Sequence, residues 1–371
     1  MVKKKIIVLL RQLHSHGGLE KVVCSRFSYL AAKDDLDIKF VLTEQRGFDV
    51  IYPLLERIKI IDLNLRYNRY NTLLSPKNLL TGISHLVRLK RILVKEKPDI
   101  IFCMSHDIDK WLLPIIELKT KLVFEHHSSR YGEKPVLNNR LRRFLLRVKY
   151  WIEKRYDLCV LLNEEESKFY SSRNLEVIPN FIELRTEVSF LHRKPYVIFA
   201  GRLARVKQIG HIIEAWSKIQ SEIRTGWELR IYGDGEEQIK GNLLELINSQ
   251  EIPNIRFMGS SINIYDVFEE SSITVLSSKT ECFPMALLES LSCGTPVVSY
   301  DCPTGPRHII SHKENGLLVK ADDIESLAYS LTTLMADKER RKTMSEAAYY
   351  SSREFSKDKI MECWIKVIRQ L

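Results

Sequence analysis

Short apolar runs recur along the chain, each followed by a longer stretch whose apolar positions return with the period of a helix. Runs of that kind, rich in Val, Ile and Leu, read as buried strands, and the longer stretches as amphipathic helices. Their alternation is that of βαβ units and parallel sheets. In the first half the pattern predicts strands over Lys5–Leu10, Asp37–Leu42, Ile58–Leu63, Ile100–Met104, Leu122–Glu125, Leu158–Leu162 and Glu176–Ile178. Helices are predicted over Leu19–Ala32, Leu79–Lys97, Asn138–Lys154 and Glu164–Tyr170. A Pro-Asn turn at Pro179–Asn180 and a polar stretch from Glu183 to Lys194 then read as a linker. Beyond it a second series opens with Tyr196–Ala200 and continues through Leu229–Tyr232, Ile255–Phe257, Ile273–Leu276, Pro296–Ser299 and Gly316–Val319. The expectation is an α/β chain of two domains, 1–182 and 183–354, followed by an amphipathic helix over 355–371. Open sheets of this kind bind ligands at the carboxyl ends of their strands, so the active site is expected in a cleft between the domains.

Length agrees with two cores, because 371 residues exceed the roughly 250–300 at which a single core stops growing. Seven cysteines, at 24, 103, 159, 282, 293, 302 and 363, include no Cys-x-x-Cys pair, so neither a disulfide framework nor a zinc site is indicated and a reducing compartment is expected. The apolar run Ile6–Leu10 is too short for a signal-peptide core, and no segment approaches a membrane span. Charge is unevenly divided. Through residue 182 there are 33 Lys and Arg against 21 Asp and Glu, and beyond it 24 against 26, giving +12 and −2. The first half therefore suits an anionic partner such as a membrane surface, with a plain solvated basic surface as the alternative. The segment Arg140–Arg155, basic and interleaved with Leu, Tyr and Trp, carries the same two readings. No stacking or sequence-reading module for nucleic acid is visible.

Candidate chemistry concentrates between Ser277 and Pro306, where strand end, loop, helix, glycine break and strand follow one another. Glu281 lies in the loop, and Glu289 lies on an apolar helix where an unpaired carboxylate would cost several kcal/mol. Pro284 suits the first turn of that helix, whose leading N–H groups can hold phosphate. Upstream, Gly201 and Arg202 directly follow a strand and Lys207 stands five residues on, a glycine and two cations suited to a diphosphate. Near the N-terminus, Gly17 and Gly18 sit at a strand-to-helix turn where a ligand can approach the backbone. The absence of a G-x-G-x-x-G fingerprint there argues against NAD or FAD.

The Glu-x7-Glu spacing followed by Cys293-Gly-Thr-Pro-Val-Val298 resembles the signature of family 4 retaining glycosyltransferases, and Asp301-Cys-Pro-Thr-Gly-Pro306 looks like the subgroup that builds bacterial surface polysaccharide. The Gly-Gly turn, the Gly-Arg-x4-Lys spacing, Tyr232-Gly-Asp-Gly235 and Asn315-Gly-Leu-Leu-Val319 occur in that family's order. The resemblance implies the GT-B fold, two Rossmann-like domains facing a central cleft, with the C-terminal helix packing back on the first domain through residues such as Trp364. It implies a catalytic set of Glu281, His126, Arg202 and Lys207, with His127 as the alternative to His126. Glu281 and His126 would face the donor sugar, Arg202 and Lys207 the diphosphate, and Glu289 the ribose. Gly17 and Gly18 would lie beside the donor diphosphate and the acceptor, and the backbone amides around Phe283, Pro284, Met285 and Ala286 would meet the diphosphate or the sugar. Cys282, where the family usually has Gly, and Ser290, where it often has Ala, depart from the pattern.

The implied activity is metal-independent, retaining transfer of a hexosyl group from a nucleoside diphosphate sugar, with UDP favoured. The acceptor would be a glycan or a polyprenyl-diphosphate-linked sugar, reached from the cytoplasm or the inner membrane face. No cofactor is expected. A nucleotide-sugar epimerase of the same fold is the alternative. The Asp-x-Asp pairs at Asp35/Asp37 and Asp107/Asp109 are read as incidental, and His14, His16 and Arg205 receive no role.

Overall fold

The computed structural model describes residues 3–371 apart from 70, 72–74, 105–107, 117–118, 134–146, 149, 171, 173, 186–187, 189, 191–192 and 262. Among the described residues the strands form two wholly parallel sheets. The first contains β1 (Lys4–Leu10), β2 (Leu36–Leu42), β3 (Lys59–Asp62), β4 (Ile100–Cys103), β5 (Lys121–Glu125), β6 (Leu158–Leu161) and β7 (Leu175–Val177), in the order β3-β2-β1-β4-β5-β6-β7. The second contains β8 (Lys194–Ala200), β9 (Glu228–Tyr232), β10 (Ile255–Gly259), β11 (Ser271–Leu276), β12 (Val297–Tyr300) and β13 (Gly316–Val319), in the order β10-β9-β8-β11-β12-β13. Central strands are buried end to end, as in β4 and β11, whereas the edge strands β3 and β10 are not. That contrast follows from helices covering both faces of a parallel sheet, which leaves inner strands no polar side.

Each of the thirteen expected strands is present, with ends shifted by at most two residues. The helix expected over Glu164–Tyr170 is present as a 3-10 helix, Glu164–Phe169, closed at its start by Asn163, whose side chain accepts the Glu166 N–H. A segment this short repays little of the cost of starting an α-helix. The expected helix Asn138–Lys154 falls largely outside the described residues, as does most of the basic segment 140–155. Its described part, 147–148 and 150–153, is helical.

Residue contacts divide the chain into two compact units. One contains Met1–His127, Lys134–Ile178 and Met361–Leu371; the other contains Ser128–Glu133 and Pro179–Ile360. In the first, strand order reverses at β1, with β2 on one side and β4 on the other; in the second it reverses at β8, between β9 and β11. Such reversal points are where open sheets leave a crevice for a ligand.

The last helix, Lys357–Gln370, starts in the second unit and ends in the first. Its start is fixed by backbone bonds in both directions between Ile182 and the Phe355–Lys357 segment, at 2.9 and 3.0 Å. Its far half buries Trp364 edge-on to Phe102 and against the Arg26 guanidinium, 4.0 Å from the ring centroid.

Candidate active site

The loops after β8 and β9 are zipped together by backbone. Gly201 N–H donates to the Tyr232 carbonyl at 3.0 Å, and Leu203 N–H to the Asp234 carbonyl at 2.9 Å. A Cβ at Gly233 would stand 1.9 Å from the Gly201 oxygen, and one at Gly235 2.1 Å from the Leu203 oxygen. Gly233 also has φ 129°, a conformation that side chains rarely adopt. The two glycines of Tyr232-Gly-Asp-Gly235 are therefore there so that one loop can lie on the other, which sets the position of Arg202 and the short helix Arg205–Lys207.

The loop after β11 is tied to the same element. Ser277 Oγ reaches the carbonyls of Lys207 and Gln208, both at 2.9 Å, and Lys279 N–H donates to the Val206 carbonyl at 2.8 Å. These bonds bring Lys207 Nζ to Glu281 Oε1, 2.5 Å away, where the Ser278 hydroxyl also donates at 2.6 Å. The pair joins the ends of β8 and β11 at the reversal point of the second sheet. Both side chains keep some contact with solvent, 20% for Lys207 and 12% for Glu281. Arg202 is exposed and makes no ion pair among the described residues. Three protons on the Lys207 ammonium allow it to hold Glu281 and an incoming phosphate oxygen together.

Glu281 is held from behind by Asp301–Pro306. The Thr304 hydroxyl donates to the Glu281 carbonyl at 2.7 Å, and a Cβ at Gly305 would lie 2.6 Å from the Glu281 Cβ. Thr304 is fully buried and takes φ 70°. Burial, and next the Glu281 charge, push the Cys302 thiol up to about 12; burial alone dominates in raising Cys293 to about 12. Neither thiol is a nucleophile at neutral pH.

The following helix is Met285–Ser292, and Pro284 is its N-cap, one step before the first turn in which the sequence placed it. Leu287 N–H turns back to the Pro284 carbonyl, so the Met285 and Ala286 N–H groups precede the first N–H that donates within the helix. Phe283 is buried: its ring lies edge-on to Phe355, and its carbonyl accepts the Asn180 side chain at 3.4 Å. Glu289 is buried on this helix, and its charge adds to burial in pushing the Tyr265 phenol upward, which places the two as neighbours. The two departures from the family pattern have physical accounts. Cys282 is buried and has no left-handed φ, so the position does not require the glycine usual in the family. Ser290 Oγ lies 2.7 Å from Thr274 Oγ1 and 2.8 Å from the Thr295 carbonyl, joining helix to β11.

In the first unit, Gly17 is the extended N-cap of helix Gly18–Ala31. A Cβ there would lie 2.1 Å from a Glu20 carboxylate oxygen, so the space that glycine leaves is taken by that carboxylate. His126 is buried, edge-on to Tyr170 at 5.5 Å. His127 Nε2 lies 3.1 Å from Glu125, and Arg26 meets Glu125 with two bonds of 2.7 and 2.8 Å. Burial would raise the Glu125 carboxyl, but Arg26 and then His127 outweigh it and hold it below the ordinary carboxylate range. Sequence reasoning passed over Arg26 because a cation in a helical period looks like a solvated face. Asp109 stands 2.7 Å from His85 Nε2, without hydrogen-bond alignment, and accepts from Thr43 at 3.1 Å. Its partner in the Asp-x-Asp pair, Asp107, lies outside the described residues.

Residues 180–350 match the family described as Glycosyl transferases group 1. The whole chain is similar to the amylovoran biosynthesis glycosyltransferase AmsD of Erwinia amylovora, at 24% identity over 98% of this chain and 99% of that protein. It is 29% identical to an exopolysaccharide phosphotransferase of Streptomyces coelicolor over 99% of this chain, which spans 41% of that longer protein. Among solved structures, Anabaena HepE in complex with UDP-glucose superposes with a TM-score of 0.79 at 18% identity, covering 99% of this chain and all of that one.

Proposed function

We propose that the chain is a glycosyltransferase of the GT-B type that moves a hexosyl group from a UDP-sugar to a growing surface polysaccharide, retaining anomeric configuration and using no metal. The Lys207–Glu281 pair at the reversal point of the second sheet is the observation that carries this reading. A nucleoside diphosphate would set its phosphates against Lys207, the exposed Arg202 and the leading N–H groups of Met285 and Ala286, where cations and oriented dipoles also stabilise charge on the departing diphosphate. Glu281 would hold hydroxyls of the sugar, and Glu289 the ribose. The leaving phosphate oxygen would help to deprotonate the acceptor hydroxyl, since no side chain at this loop is an activated nucleophile. His126, Gly17 and Gly18 enter this scheme through the family resemblance. The relatives reported are named as transferases, and the epimerase alternative finds no support.

For the acceptor we propose a glycan or a polyprenyl-diphosphate-linked sugar met at the inner membrane face, with the +12 first half as the side turned to anionic lipid. None of the described helices is long and apolar enough to cross a membrane. The test is a panel of UDP- and GDP-sugars in thermal unfolding. A donor at 100 times its dissociation constant adds roughly 2.7 kcal/mol of stability, and one UDP-sugar is expected to raise the midpoint. No shift with any member of the panel would sink the donor assignment. Product NMR then reads the anomeric configuration.

A further inference from the structure

Beside the Glu281 loop, and wholly within the second unit, lies a cavity of about 1060 Å³ at the carboxyl ends of β12 and β13. Roughly 300–1,000 Å³ is usual for small-molecule sites, so there is room for more than a single sugar ring. Neither the diphosphate cations Arg202 and Lys207 nor Glu289 lines it.

The chemistry of its wall is specific. Lys279 and Lys320 are exposed and unpaired among the described residues, whereas Arg307 is satisfied by two bonds to Asp301, at 2.9 and 3.0 Å. The lining thus carries three cations against two carboxylates, Asp301 and Asp322, an excess of one positive charge, and with Arg307 held by Asp301 the cations outside an ion pair are the two lysines. His312 Nδ1 accepts the Leu318 N–H at 3.0 Å, so in the neutral ring the proton sits on Nε2 and adds a donor. Tyr131, 37% exposed, lines the same cavity. An aromatic ring beside hydrogen-bonding groups is a type of surface on which the apolar face of a sugar ring can stack.

The wall is also built into the candidate active site. Tyr131 N–H donates to Ser129 Oγ at 3.1 Å, and Ser129 Oγ lies 2.6 Å from Thr304 Oγ1. Because the single Thr304 proton goes to the Glu281 carbonyl, Ser129 supplies the proton between the two hydroxyls. A continuous chain of bonds therefore runs from the ring-bearing segment to the loop that carries Glu281, and Lys279 is two residues from Glu281 in the same loop.

We propose that this cavity binds an anionic sugar residue of the acceptor glycan, one carrying a carboxylate or a phosphate, stacked on Tyr131 with its charge between Lys279 and Lys320. The inference rests on the transferase reading and names part of its acceptor. It is tested by calorimetric titration with methyl glucuronide, methyl glucoside 6-phosphate and neutral methyl glucoside. The expected result is about tenfold tighter binding of at least one anionic glycoside. That preference should vanish in the Lys279→Gln/Lys320→Gln double variant, while Tyr131→Ala weakens all three ligands alike. The stronger of the two anions separates a uronate from a phosphate ester. Equal affinity for all three ligands, or a preference that survives the double variant, would overturn the proposal. The UDP-sugar midpoint shift, measured on the same variants, is expected to persist. If it persists and the anion preference is missing, this inference alone fails; if wild-type protein shows no shift, the donor reading itself fails.

Discussion

The two sheets reverse strand order in the same way, yet their charged groups are used differently. At the reversal point of the second sheet, Lys207 and Glu281 are paired but still wet, and Arg202 is exposed. In the first unit, Arg26 and Glu125 are both about 1% exposed, with both terminal guanidinium nitrogens bonded to the carboxylate, the Trp364 ring against the guanidinium, and Nε alone lacking a hydrogen-bond partner. Lys110 and Glu153 form a second buried pair at 2.7 Å. A buried, satisfied charge has nothing left for a ligand, and breaking it is costly. One that keeps contact with solvent can exchange its partner at less cost. Function is thus expected where charge is incompletely spent, and stability where it is spent.

The largest expected effect tests the buried side of that contrast. Arg26→Met leaves Glu125 uncompensated and should cost about 3–5 kcal/mol in urea unfolding. The same pair predicts an acid limb. The Glu125 carboxyl lies below its ordinary 4.5 when folded, so its contribution is present above that value and is lost as pH falls through the lower folded one. Loss of stability with acid should be shallower in the variant.

Next in size, Lys207→Met should lower kcat by roughly 10²–10³-fold, as removal of a stabilising cation does, while unfolding moves by less than about 1 kcal/mol. A variant that lost stability and kept turnover would reverse the comparison. Smallest, Ser290→Ala removes a hydroxyl between the helix and β11 and should cost about 1 kcal/mol in thermal unfolding with no change in the KM for donor. A raised KM would show that this helix is held in place for the donor by the bond.

Much of the candidate site was legible because its signals are local. Gly201-Arg202 and Lys207 stand directly after a strand, and Glu281 does the same one β-unit later. Strand ends can be read from apolar runs. The reasons for Gly233 and Gly235 were not legible, because each depends on an oxygen of another loop. Nor was the chain Tyr131–Ser129–Thr304–Glu281, whose middle pair is 175 residues apart in sequence.

The sequence by itself determined the strands, the two-sheet α/β plan and the residue types offered at each strand end, since periodicity and turn chemistry act over a few neighbours. Only the tertiary structure decided which of those groups are spent. Parallel pairing brings the ends of β8, β9 and β11 together from distant parts of the chain. Burial then turns Arg26 and Glu125 into a structural pair and leaves Lys207 and Glu281 with capacity for a ligand.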